Sequence, residues 1–210
     1  MRTLYVLIGV PGSGKSTWVR NQRWAGNCVI ASTDEFVEAC AKVKNKTYNQ
    51  VFKSCIREAE ERMYQKVKEA AASGQDIIWD QTNIYTNARC AASYTMHPCS
   101  KRFSHTMHSL SPALVVPYAV QRGKYQHCLI VASLSRAKKM RMLANYRKIA
   151  VVFPTPEKDE LKQRLGSRPG KTIPADVIQK MIRELQVPSL EDGFDEIWTV
   201  DAHASTQQLL

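Results

Sequence analysis

A short apolar run, residues 4–8, passes without a break into Gly9-Val10-Pro11-Gly12-Ser13-Gly14-Lys15-Ser16, and a chain built around that junction has few ways to fold. The eight residues spell G-x-x-x-x-G-K-[ST], with a strand pattern before them and a helical pattern after. Glycines let the backbone curl until its N–H groups, joined by those opening the next helix, converge on one point. Such a ring of amides is a phosphate cradle. Lys15 is placed to reach the β- and γ-phosphates of a nucleotide, and the Ser16 hydroxyl to ligate Mg²⁺. Gly9, Pro11, Gly12, Ser13, Gly14 and Thr17 complete the binding surface.

Beyond that junction the chain alternates between two periods. A helix is expected over 16–23, a short strand over 28–32, a helix over 35–42, and a long helix from Thr47-Tyr48 to about residue 72. In the long helix Val51, Cys55, Ala59, Met63 and Val67 recur at four-residue steps, and Ser73-Gly74 stops it. Residues 76–80, 148–153 and 196–200 read as strands, 157–165 as a helix, and Pro174 as the start of another. The tail after Asp201 is expected to fray. This alternation implies one α/β domain over 1–210, a three-layer sandwich of the P-loop NTPase type around a parallel sheet of about five strands.

Charge is uneven. The formal net charge is +11, yet the whole excess lies between Asp80 and Glu157, a stretch without a carboxylate that holds eleven basic residues. A basic field of this kind suits a polyanion such as nucleic acid; solvated Lys and Arg without a partner is the plainer explanation. Within it, residues 89–134 show no period and read as an insertion. Cys90, His97, Cys99, His105, His108, His127 and Cys128 fall there, but closed zinc sites need two properly spaced pairs, and only His105/His108 makes half of one. The six cysteines lack a framework spacing and are expected to be reduced in an intracellular, cytoplasmic protein. No apolar run is long enough for a membrane, and Met1-Arg2-Thr3 leaves no room for a signal peptide ahead of the first strand.

Four residues could add chemistry to the cradle. Asp34 follows the second strand, at the end of the sheet where ligands bind, and can take the proton of an attacking hydroxyl. It can equally cap the helix beginning at Glu35. Asp80 ends the third strand, where a carboxylate can hold Mg²⁺ or simply turn the chain. Arg164 and Arg168, four residues apart, suit a lid that neutralises a transferring phosphoryl group, or a solvated helix face.

In order, G-V-P-G-S-G-K-S-T-W (9–18), Asp34, W-D-Q-T-N (79–83) and K-Q-R-L-G-S-R-P-G-K-T-I-P-A-D-V-I-Q-K-M (162–181) resemble the phage-type polynucleotide 5′-kinase domain. D-Q-T-N, R-K-I-A-V-V-F-P-T-P and F-D-E-I are also similar to the P-loop module of heterogeneous nuclear ribonucleoprotein U, which lacks the Asp. The kinase resemblance implies ATP as donor, Mg²⁺, and the 5′-hydroxyl of DNA or RNA as acceptor. It implies Lys15 and Ser16 on the phosphates and metal, Asp34 as general base, Asp80 as the strand-three carboxylate, and Arg164 and Arg168 as lid arginines. It departs at Val37, where that family carries an arginine that contacts the acceptor's 3′-phosphate; Lys42 and Lys44 are the nearby cations. A nucleic-acid-binding ATPase or accessory module and a small-metabolite kinase are the competing functions.

Overall fold

A computed structural model of the protein describes residues 1–85, 136–200 and 207–209. Its centre is β1 (Thr3–Ile8), which pairs in parallel with β3 (Ile77–Trp79) on one side and β4 (Arg147–Val152) on the other. Outside β3 lies β2 (Val29–Ala31), and outside β4 lies β5 (Glu196–Thr199), also parallel. A short antiparallel strand, β6 (Gln207–Leu209), pairs with β5 and gives the order β2-β3-β1-β4-β5-β6. The five parallel strands match the sequence-based expectation. The sixth departs from the expected frayed tail, because β5 would otherwise offer its backbone N–H and C=O groups as an open edge.

β1 is apolar because it is covered on both faces. Leu4, Val6 and Ile8 pack with Met63, Val67 and Ala70 of α3 (Tyr48–Ser73) and with Met140 of α4 (Arg136–Met142). Leu7 turns the other way, onto Trp18 and Val19 of α1 (Lys15–Asn21) and Ala25 of the 3₁₀ turn Arg23–Asn27. This alternation makes three layers. A third cluster joins α2 (Asp34–Val43) to α3 through Val37, Ala41, Val51, Cys55, Ile56 and Ala59. α3 opens on a capping box, in which Thr47 Oγ1 accepts from Gln50 N–H and Gln50 Oε1 from Thr47 N–H, and it ends on Gly74 in the left-handed region. α5 (Lys158–Gly166) and α6 (Ala175–Arg183) follow β4, with Pro174 at the N-cap of α6.

The stretch 89–134, read above as an insertion, lies outside the described residues, as do its cysteines and histidines. At its described borders, Arg136 N–H donates to Tyr85 O at 3.3 Å. Two of the eleven basic residues do not contribute to a surface field. Arg136 and Lys139 are 1% and 0% exposed, packed under the sheet by α4. Among the described residues no helix is long and apolar enough to cross a membrane.

Candidate active site

Loops leaving the C-terminal ends of β1, β2 and β3, together with α3, α5 and α6, enclose a cleft of about 2210 Å³. That is where the sheet's strand order reverses on either side of β1, and where α/β sheets bind ligands. All the residues singled out above for catalysis and metal binding, Lys15, Ser16, Asp34, Asp80, Arg164 and Arg168, line it. So do Pro11, Gly12, Ser13, Gly14 and Thr17 of the loop. Gly9 lies beneath, where a Cβ would sit 2.9 Å from Phe153 Cβ and 2.7 Å from Ser13 Oγ.

The loop's curl depends on two positive φ angles, +86° at Gly12 and +98° at Gly14, the N-cap of α1. A side chain at Gly12 would also meet Leu161 Cδ1 at 2.9 Å. Lys15 folds under this ring, its Nζ donating to Gly9 O and Val10 O at 2.8 Å each. Burial lowers its pKa to about 8, with Asp80 partly opposing the shift. An ammonium this poorly hydrated is ready to exchange loop carbonyls for phosphate oxygens, so the loop fits a nucleotide's phosphates. Ser16 Oγ lies 3.5 Å from Asp80 Oδ2, a hydroxyl and a carboxylate side by side, which is a donor set for a hard cation such as Mg²⁺. Burial raises the Asp80 pKa against the pull of Lys15.

Asp34 occupies the first turn of α2 rather than capping it. The cap position is Thr33, and Asp34 sends its carboxylate into the cleft instead. Tyr48 OH donates to Asp34 Oδ1 at 2.7 Å, and Lys171 Nζ donates to Asp34 Oδ2. Burial favours the protonated acid, but Lys171, Tyr48 and Arg168 outweigh it and hold the carboxyl below its usual range. Arg164 touches the phosphate loop directly, Nη1 donating to Gly12 O at 3.3 Å, while its Nη2 pairs with Glu160 at 2.5 Å. Arg168 stands on the same rim, and its charge reaches both Lys15 and Asp34.

Val37 does not face the cleft. It is 0% exposed in the α2–α3 core, so position 37 could reach an acceptor only if the two helices were repacked. Lys42 lies in the last turn of α2 and Lys44 caps its C-terminal end, where Lys44 Nζ approaches Cys55 Sγ at 3.6 Å. Neither lines the cleft.

Three residues that matter here were missed from sequence: Tyr48, Lys171 and Lys139. Lys171 had a signal, a further cation three residues past Arg168 in R-P-G-K. Lys139 had none. It is buried beneath the turn after β3, donating to Gln81 Oε1 at 2.7 Å and to Asn83 Oδ1, with its Nζ 5.0 Å from the Trp79 ring centroid. Asn83 Nδ2 in turn donates to Leu7 O at 2.7 Å, and Thr82 O accepts from Gly9 N–H at 3.0 Å. The Lys139 amine thus locks the turn that follows Asp80 against the start of the phosphate loop.

Fold and cleft together define a nucleotide-binding P-loop domain of kinase-like type. The chain belongs to the family described as AAA domain, whose model matches residues 4–128. None of the curated proteins matches it.

Proposed function

We propose that the protein is an ATP-dependent kinase that transfers the γ-phosphoryl group to a hydroxyl, with a nucleic-acid 5′-OH as the acceptor. The observation that carries this reading is the meeting of Asp34 with Lys15, Ser16, Asp80 and two lid arginines in one cleft. A switch or motor NTPase needs the loop and a metal-binding carboxylate; an additional carboxylate set between them and an open wall is what an alcohol acceptor requires. In this mechanism the loop amides and Lys15 orient the phosphates. Ser16 and Asp80 would hold Mg²⁺, which would neutralise phosphate charge when bound. Asp34 accepts the proton of the incoming hydroxyl, and Arg164 and Arg168 counter charge on the phosphoryl oxygens.

Support for a polynucleotide acceptor is the motif order from Gly9 to Met181 and the net charge of +11. Val37 argues the other way, since an apolar, buried residue stands where the phage-type kinases carry a phosphate-reading arginine, which favours a nucleic-acid-binding ATPase or accessory module. Transfer of labelled γ-phosphate to a panel of 5′-OH oligonucleotides, nucleosides and sugars decides among these. Label on oligonucleotide 5′-ends is the expected result. Label on a small alcohol alone would assign a metabolite kinase, and RNA or DNA binding with no labelled product would select the accessory module.

A further inference from the structure

The fold builds a holder for Lys171. Residues 167–174, the strap between α5 and α6, cross the N-terminal end of α3 and are tied to it on both sides of that lysine. Asn49 makes both ties, its backbone N–H donating to Gly170 O at 3.1 Å and its Nδ2 to Thr172 O at 2.9 Å. Gly170 adopts φ +68°, and a Cβ there would lie 3.1 Å from Thr47 Cβ, an approach that glycine alone makes easily. Held this way, the ammonium sits 4.2 Å from the centroid of the Tyr48 ring, pairs with Asp34, and lies 3.7 Å from Glu38 Oε1.

An ion pair serving only to fasten the strap would be redundant, because Asn49 fastens it already. The position of Lys171 explains more. It lines the same cleft as Lys15, Asp34 and Asp80, and its charge acts on all three. Only 12% of its side chain is exposed, and little water competes for its donors. Pairing with an ammonium makes Asp34 a weaker base, a cost that a catalytic carboxylate tolerates if the cation contributes elsewhere.

We propose that Lys171 is a catalytic residue that binds the γ-phosphoryl group of ATP while keeping Asp34 oriented toward the incoming hydroxyl; this rests on the kinase reading above. An ammonium has three donors, and Asp34 takes one. During transfer the acceptor oxygen bonds to the γ-phosphorus as the bond to the β,γ-bridging oxygen breaks. The electron pair leaves with ADP, and the hydroxyl proton passes to Asp34. Lys171 keeps its own proton throughout and offsets the charge on the equatorial phosphoryl oxygens, beside Arg164 and Arg168.

The test compares wild type, Lys171→Met and Lys171→Arg by calorimetric titration with ATP and with ADP, then by single-turnover transfer to an acceptor that wild type phosphorylates. Lys171→Met should weaken ATP binding about tenfold and leave ADP binding within about twofold, the mark of a charge-assisted bond to the third phosphate. Its transfer rate should fall on the order of 100-fold, with Lys171→Arg recovering most of the ATP preference. An unchanged ratio of ATP to ADP affinity would overturn the proposal, as would equal loss of both. If the Met variant fails to fold, Asn49→Ala, which removes the tie to Thr172 O and loosens the strap beside Lys171 while the backbone tie to Gly170 O stays, should reduce the same ratio. The ratio is read without turnover, so the two ideas fail separately. A Lys171-dependent ATP preference in a protein that phosphorylates nothing supports the γ-phosphate contact and sinks the transfer reading.

Discussion

The two halves of the cleft are made by opposite means. The phosphate half is one unbroken stretch, Gly9 to Thr17, whose shape comes from backbone: two left-handed glycines, a helix start and a lysine folded back onto its own loop. The other half, where we propose that the acceptor binds, is made of side chains from three separate places, with Asp34 on α2, Tyr48 fourteen residues away on α3 and Lys171 on a strap 137 residues away. Local geometry secures the first. Packing of α2, α3 and the strap secures the second, so damage to either half should leave a different signature.

The sharpest division comes from Asp34→Asn. It removes the proposed proton acceptor but spares the loop, so single-turnover transfer should drop roughly 10³-fold while calorimetric ATP affinity changes no more than about twofold. Parallel loss of both would erase the distinction between the halves.

Lys139 tests whether the phosphate half is as self-contained as its backbone suggests. Lys139→Met strips a donor from Gln81 and Asn83 and should cost about 2–4 kcal/mol in urea unfolding. The cost should depend on pH. Burial lowers the folded-state pKa of Lys139 to about 7, against an ordinary 10.5. Between those values the unfolded chain binds a proton that the core rejects, so stability rises as pH increases above 7, and the full penalty is felt below it. Wild type should therefore gain roughly 2 kcal/mol on the Met variant between pH 7 and 9. Parallel pH profiles would show that the amine is not strained by burial.

Two glycines make a matched pair of smaller effects. Gly12→Ala and Gly170→Ala each force a Cβ into left-handed backbone against a near neighbour, at about 1–3 kcal/mol apiece. The first should weaken ATP and ADP binding together. The second should slow transfer and spare ADP affinity; the reverse assignment would dissolve the comparison. Smallest is Thr47→Ala, which breaks the capping box of α3 and should lower stability by about 1 kcal/mol in thermal unfolding, with ADP affinity unchanged.

The same contrast explains which residues were legible in advance. The phosphate loop could be read because its chemistry is contiguous and its glycines are needed wherever the loop occurs. Asp34 and Asp80 were legible from strand ends, since a parallel sheet brings those ends to one side. Whether Asp34 capped its helix or faced the cleft could not be read, because both outcomes use the same residue at the same place in the chain. Tyr48 sat within a helix pattern that explained its neighbours, so nothing in the spacing marked its hydroxyl. The basic stretch misled in part. A count of charges treats Arg136 and Lys139 as surface cations, whereas an amphipathic α4 carries both under the sheet.

From the chain alone came the α/β alternation, the central strand buried on both faces, the phosphate loop and the carboxylates at the ends of β2 and β3. Each depends on a local period or on the steric freedom of glycine, which neighbouring residues settle among themselves. Only the tertiary structure decided that Val37 lies in the core, that Lys171 meets Asp34, that Lys139 braces the turn behind the phosphate loop, and that the tail adds a strand to β5. Those are encounters between distant segments, and their energies depend on burial and distance, quantities that do not exist until the chain has packed.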